Sequence, residues 1–288
     1  MDLREIRDRT YKPRDAWWTV LLVDPFAVRL VRLVAPYRWI TPNLLSGLAF
    51  LLGLGSAWCF AMADRWWLVA GALLFHLSFV VDCMDGKIAR LNGTGSMFGA
   101  WFDFIFDRVR MVMCAVALFA GQYVATGNVA WVWLCAAVVG LDLFRYVNGP
   151  QMAKTKASMQ AQLNELRGVP VTPTVADDEG ETEEPVRAGP PRGRYERVRN
   201  ALLRRRIRIH LFSGIEFEMT VLIIGPLIGQ VFWTAVVACA LLLLFEGMLV
   251  FRLIQLIRRW EGDMAAARRD LPHDLPTQQP PAPTPTRV

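Results

Sequence analysis

Residues 82 to 107 read Asp82-Cys83-Met84-Asp85-Gly86-Lys87-Ile88-Ala89-Arg90, then eight residues, then Gly99-Ala100-Trp101-Phe102-Asp103-Phe104-Ile105-Phe106-Asp107, and this frame of four aspartates lies within apolar sequence. A carboxylate at membrane depth costs roughly 2.5 to 3.5 kcal/mol on the insertion scale, so four of them point to function. Residues three or four apart share a helix face. The spacing therefore puts Asp82, Asp85, Gly86 and Ala89 on one stripe and Gly99, Asp103 and Asp107 on another. Between the stripes, Leu91 to Phe98 carries the turn residues Asn92, Gly93, Thr94 and Gly95, which fold the two helices back antiparallel. The two acidic stripes can then face each other.

Facing carboxylates repel unless cations sit between them. All-oxygen ligands from aspartate suit Mg²⁺ or Mn²⁺ rather than Zn²⁺, and four of them can hold one or two such ions against phosphate oxygens. Gly86, Ala89 and Gly99 are small enough to let a phosphate-bearing group approach the backbone. Arg90 offers that group a bidentate partner.

This frame, D-x2-D-G-x2-A-R-x8-G-x3-D-x3-D, resembles the signature of the CDP-alcohol phosphatidyltransferase family at every fixed position. Thr41-Pro42-Asn43-Leu44-Leu45-Ser46 is similar to the family's entry into its first membrane helix, and the likeness is strong from residue 40 to about 148. The resemblance implies a membrane enzyme that transfers a phosphatidyl group from a CDP-lipid, such as CDP-diacylglycerol, to a small alcohol acceptor and releases CMP. It implies two Mg²⁺ or Mn²⁺ ions, with Asp82, Asp85 and Asp103 as core metal ligands. Asp107 becomes the general base toward the acceptor hydroxyl, in touch with the second metal. Gly86, Arg90 and Ser96 are assigned to the CDP-lipid, with Pro42, Asn43 and Ser46 beside them, and the family works as a homodimer. Asp107 is followed by Arg108, a pairing that resembles members using inositol phosphate, so Arg108 is a candidate for acceptor binding. Arg110, Arg145, Lys154, Lys156 and Arg204 to Arg206 are further cations for a phosphorylated acceptor. For Arg145 and Arg204 to Arg206, topology signals are the preferred reading.

Composition fixes the class independently. With 54% hydrophobic residues and a mean hydropathy of +0.29, the chain reads as an all-α integral membrane protein, since apolar runs near 20 residues recur. Six spans are expected, at about 43 to 62, 66 to 89, 98 to 122, 128 to 148, 209 to 228 and 231 to 256. Basic residues crowd the segment before the first span, the aspartate turn, residues 149 to 208 and the region after 251, whereas the other three connections contain only Arg65. Both termini and the aspartate turn are thereby placed on the cytoplasmic face of the cell membrane. The net charge of +6 reflects that topology and attraction to lipid headgroups, with no nucleic-acid partner implied.

Three regions follow: a cytoplasmic segment 1 to 42, a membrane domain 43 to 256 with a polar insert at 149 to 205, and a disordered tail 257 to 288. No signal peptide opens the chain. Asp15 to Ile40 mixes Trp17, Trp18, Leu21, Leu22, Phe26, Leu30 and Leu33 with Asp24, Arg29 and Arg32, the pattern of an interfacial amphipathic helix. Residues 165 to 195, with their acidic run at 177 to 184, and the Pro/Thr tail from Leu271 read as disordered. Cys59, Cys83, Cys114, Cys135 and Cys239 form no C-x-x-C pair, so neither a disulfide framework nor zinc is expected.

Outside the frame, Glu216 and Glu218 open the fifth span and Glu246 lies in the sixth. Glu216 is expected to pair with Arg108 or Arg110, or else to meet acceptor hydroxyls. His76 falls half a turn round the helix from Asp85 and reads as a packed histidine. Two rival classes fit less well. A prenyltransferase acting on a diphosphate needs a second aspartate cluster far along the chain, and none follows the third span. A divalent-ion transporter needs acidic residues spread over several spans and has no use for the Gly-x2-Ala-Arg frame.

Overall fold

The computed structural model describes residues 2–37, 39–168, 193–210 and 212–269. Every regular element among them is helical, and the one pairing of extended backbone is an isolated parallel bridge between Asp15 and Ile207. The helices are α1 (Leu3–Thr10), α2 (Asp24–Val34), α3 (Pro42–Ala61), α4 (Arg65–Asn92), α5 (Met97–Thr126), α6 (Ala130–Arg167), α7 (Arg194–Arg204), α8 (Gly214–Met219), α9 (Gly225–Ile228) and α10 (Val231–Arg269). Single π-helical turns occupy Thr19–Val23 and Thr220–Ile224. The chain divides into two compact units, one of residues 1–149 with 184–248 and one of residues 150–183 with 249–288.

The ends of the helices are written in local chemistry. Thr41 caps α3 through its side chain, with Pro42 in the first turn where its missing N–H costs nothing. Asp64 caps α4 by accepting from the Trp66 N–H at 3.0 Å. Gly93, at φ +63°, ends α4 in the left-handed region, and the Thr94 N–H returns to the Ala89 carbonyl at 3.0 Å. The turn into α5 is therefore tighter than expected, since both helices extend into the 91 to 98 stretch.

Among the described residues four helices, α3, α4, α6 and α10, are long and apolar enough to cross a membrane. The expected third span is the 30-residue α5, whose first half carries Asp103, Asp107, Arg108 and Arg110. The expected fifth is interrupted by its π turn into α8 and α9. Large apolar side chains such as Leu51, Leu73, Val124 and Leu244 point outward from these helices, which suits hydrocarbon and not water. Exposed tryptophans lie near helix ends: Trp58 late in α3, with Trp66, Trp133 and Trp233 early in α4, α6 and α10, and at the other ends Trp39 before α3 and Trp101 early in α5. Such rings favour the headgroup level.

Within the first unit α3 packs on both α4 and α5. The approach is close: a Cβ on Gly121 of α5 would stand 2.8 Å from the Phe60 and Ala61 carbonyl oxygens at the end of α3. Ala49, Phe60, Ala72, Phe75, Met111, Cys114, Leu118 and Phe119 fill the resulting core. The helix within the segment 15 to 40 is shorter than that segment: helical turns run unbroken from 17 to 34, through the π turn and into α2, which ends just before Pro36, a residue with no N–H to continue the ladder. Asp24, Ala27, Val28 and Val31 make its buried face, packed on α4, while Phe26, Arg29, Arg32 and Leu33 are exposed.

Of the stretch 165 to 195 expected to be disordered, only 165–168 and 193–195 are among the described residues, and the expected disordered tail is corrected over 257–269 alone. The polar insert is helical at both described ends, since α6 continues through Pro150 to Arg167 and α7 follows at Arg194. Likewise α10 runs to Arg269, well past residue 257. Both extensions are rich in Ala, Gln, Arg and Glu and carry apolar residues at helical spacing. In the second unit Met152, Ala153, Met159, Leu163 and Met264 are buried, and the Trp260 indole N–H donates to the Met159 carbonyl at 3.0 Å. The acidic run at 177 to 184 and the tail from Leu271 lie outside the described residues.

Candidate metal and substrate site

Asp82 and Asp85 leave α4, and Asp103 leaves α5, so that one ligand atom from each lies within 4.8 Å of the other two. The antiparallel fold of the two stripes is thus as the spacing implies. Ser46 on α3 donates to Asp85 Oδ2 at 2.5 Å while also reaching the Pro42 carbonyl at 3.2 Å. Asp103 Oδ1 is buried with no hydrogen-bond partner. Three convergent hard oxygens, one of them buried and unsatisfied, fit a divalent cation of the Mg²⁺ or Mn²⁺ kind.

Asp107 stands apart from that trio. Its Oδ1 accepts from Arg110, one turn further along α5, and a quarter of its side chain remains accessible. Arg110 also donates to Asp82 Oδ1 at 3.1 Å. Its stem lies against α3, where a Cβ on Gly53 would come within 2.6 Å of Cγ and 2.7 Å of Cδ. Gly53 is what lets a buried arginine enter the acidic cluster.

Of the residues assigned to the CDP-lipid, Ser46 touches the aspartate cluster directly, through Asp85. A Cβ on Gly86 would stand 3.6 Å from the Arg90 guanidinium, so the two are in contact reach on the same face. Arg90 is exposed, with Nε donating to the Thr10 carbonyl at 2.8 Å. Ala89 is half-buried beside it. Ser96 caps α5 by accepting from the Gly99 N–H at 2.9 Å. A Cβ on Gly99 would meet Ser96 Oγ at 3.1 Å and Asn43 Oδ1 at 3.6 Å, which places Asn43 and Pro42, at the start of α3, beside the start of α5.

A second charged cluster begins one residue after Asp107. Arg108 donates to Asp142 Oδ2 on α6 at 2.8 Å and to Glu218 Oε1 on α8 at 2.9 Å, and its guanidinium stacks 3.5 Å from the Tyr146 ring. Tyr146 donates its hydroxyl to the same Glu218 oxygen at 3.1 Å. Arg145 pairs with Glu246 at 3.2 Å, and Asn148 donates to the other oxygen of Glu246 at 2.8 Å. Arg145 is therefore a buried structural cation and not a topology signal. The carboxylate found on Arg108 is Glu218, whereas Glu216 accepts from the Ser213 N–H at 3.1 Å in a capping box that starts α8.

A third set of contacts clasps the far side of α4. Asp24 receives Lys87 Nζ at 2.8 Å and Arg206 at 3.1 Å, with Lys87 and Asp24 both buried. Arg206 also donates to the Lys12 carbonyl at 2.9 Å and lies 4.0 Å over the Tyr11 ring. Burial raises the Asp15 carboxyl above its usual range, with Lys12 and Arg208 opposing that shift. His76 is a packing residue, edge-on to Trp18 with ring centroids 6.0 Å apart. All five cysteines are free.

Asp142 and the bracing role of Asp24 escape a reading of the sequence. Asp142 did carry a signal: with Arg145 and Tyr146 it forms an i, i+3, i+4 polar set inside an apolar helix.

The class so defined is an all-helical protein with helices apolar enough to span a membrane and a candidate divalent-cation site on α4 and α5. Residues 39–168 match the sequence model of the CDP-alcohol phosphatidyltransferase family. It is 39% identical over 111 residues to the CDP-diacylglycerol--glycerol-3-phosphate 3-phosphatidyltransferase of Cereibacter sphaeroides, covering 38% of this chain and 47% of that one. It is 37% identical over 68 residues to the bifunctional IPC transferase and DIPP synthase of Aquifex aeolicus, covering 24% of this chain and 15% of the other. The chain thus spans less than half the length of the curated relatives it matches.

Proposed function

We propose that this protein transfers a phosphatidyl group from a CDP-lipid to an alcohol and releases CMP. The observation that carries the reading is the convergence of Asp82, Asp85 and Asp103 inside the family-matched segment. A divalent cation held by these three neutralises charge on the diphosphate of the CDP-lipid and favours departure of CMP. Arg90, exposed beside Gly86, meets the remaining phosphate oxygens. Ser46 holds the Asp85 carboxylate in its orientation toward the trio.

Asp107 takes the acceptor's proton. Its Oδ1 is anchored by Arg110, which leaves Oδ2 in the accessible part of the side chain to accept from the hydroxyl. The acceptor oxygen forms a bond to the lipid-side phosphorus as the bond from that phosphorus to the CMP oxygen breaks, and the proton stays on Asp107. Arg108 is already held by two carboxylates, so its pairing with Asp107 in the sequence does not by itself name a phosphorylated acceptor. Inositol phosphate, inositol, glycerol phosphate and serine are the acceptors to compare.

We place the protein in the cell membrane with six spans, α5 and the broken segment 214–228 joining the four long apolar helices. Both termini and the aspartate turn face the cytoplasm by the distribution of basic residues. The first thirty-four residues lie along that face, and the working unit is a homodimer by resemblance to the family. The test is CMP release by purified full-length protein in liposomes with CDP-diacylglycerol and Mg²⁺, one acceptor at a time. Release that needs one acceptor and vanishes in Asp107→Asn supports the reading and names the alcohol. Absence of both release and CDP-lipid binding rejects it.

A further inference from the structure

We infer that Arg110 stands in the place of a second metal ion, so that the substrate-free protein binds one divalent cation per chain where two were expected. The inference rests on the transferase reading above, and it concerns the same site. Four aspartates converge here, but they divide into a trio with mutually close ligand atoms and a fourth, Asp107, outside it. The cation that bridges the trio to the fourth is the Arg110 guanidinium, on Asp82 Oδ1 at 3.1 Å and on Asp107 Oδ1. A second ion shared by Asp82 and Asp107 would have to sit between the two carboxylates that this guanidinium already bridges.

Three features make Arg110 a fixture and not a placeholder. It is buried, with 4% of its surface accessible. Its methylene stem occupies the gap over Gly53 that any larger residue would close. Its charge is permanent, because a guanidinium does not deprotonate in a protein. A dication brought to the Asp82–Asp107 side would therefore face a fixed like charge at close range. The trio, on the other side of Asp82, carries no guanidinium contact on Asp85 or Asp103 among the described residues.

Arg110 acts through its two carboxylates and is thus a positioning residue. It also fixes which oxygen of Asp107 is left for the acceptor. The measurement is a titration of the purified full-length protein in detergent with Mn²⁺ alone, with free ion read by electron paramagnetic resonance. Wild type is expected to bind one Mn²⁺ per chain and Asp103→Asn to lose it. Arg110→Gln is expected to bind two, and Arg110→Lys, which keeps the charge, to bind one. Two ions on the wild-type chain overturn the inference even if Arg110→Gln fails to fold, and so does a count of one in a folded Arg110→Gln. Two ions together with acceptor-dependent CMP release overturn only the role of Arg110, whereas no bound Mn²⁺ removes the metal-dependent reading on which it rests.

Discussion

Asp107 and Arg108 are neighbours on α5, yet they enter two charge clusters built on different rules. Around Asp107, four aspartates meet one arginine, and one buried carboxylate oxygen of Asp103 has no partner. Around Arg108, two arginines meet Asp142, Glu218 and Glu246, Tyr146 shares the Glu218 oxygen that Arg108 holds, Asn148 takes the Glu246 oxygen that Arg145 leaves, and Asp142 Oδ1 has no hydrogen-bond partner. The first cluster is short of positive charge and awaits a ligand. The second is close to balanced in charge and joins α5, α6, α8 and α10. Buried charges alone do not mark a site; the imbalance does.

Breaking the first cluster should leave the fold and remove the chemistry. Asp103→Asn is expected to lower CMP release by about 10³-fold or more, since divalent-ion stabilisation is worth several kcal/mol and each ~1.4 kcal/mol is tenfold. Its thermal unfolding in detergent should occur no lower than that of wild type, because a repelling carboxylate has been neutralised. Asp107→Asn should reduce turnover by roughly 10²- to 10⁴-fold, the range for loss of a general base, with Mn²⁺ binding retained. Loss of Mn²⁺ from this variant would move Asp107 into the metal shell.

Breaking the second should do the reverse. Arg108→Met strands Asp142 and Glu218, and removal of one partner of a buried pair costs roughly 3–5 kcal/mol, read as a lower denaturation midpoint with Mn²⁺ binding unchanged. Unchanged stability with a raised KM for the acceptor would instead transfer Arg108 to the substrate site and erase the contrast. The smallest effect belongs to Ser46→Ala, which removes the hydrogen bond to Asp85. Mn²⁺ affinity should fall roughly 10- to 100-fold, the usual cost of losing a partner of a metal ligand.

The first cluster was legible in the sequence because its residues recur at helical spacing within 26 positions, and one turn suffices to oppose them. The long apolar segments were legible for the same reason, a periodicity and length that do not depend on neighbours. The second cluster joins Arg108 to Glu218 across 110 positions, and Asp24 reaches Arg206 across 182. No local pattern selects Glu218 over Glu216 as the partner, since that depends on which face α8 presents to α5. The helical continuations of α6 and α10 were hidden by polarity: charged, alanine-rich sequence reads as solvated until a neighbouring face is known to receive its Met and Leu residues.

The clasp on α4 bears on where this protein can be cut. The family-matched segment begins at residue 39, but Thr10 holds Arg90, Asp24 holds Lys87, and Asp15 exchanges backbone hydrogen bonds with Arg206 and Arg208. The portion of α4 that presents the aspartates is thus finished by residues from both sides of the recognisable domain. A fragment trimmed to the motif, or a chimera that grafts it onto a relative's flanks, would inherit the signature without the scaffold that aims it.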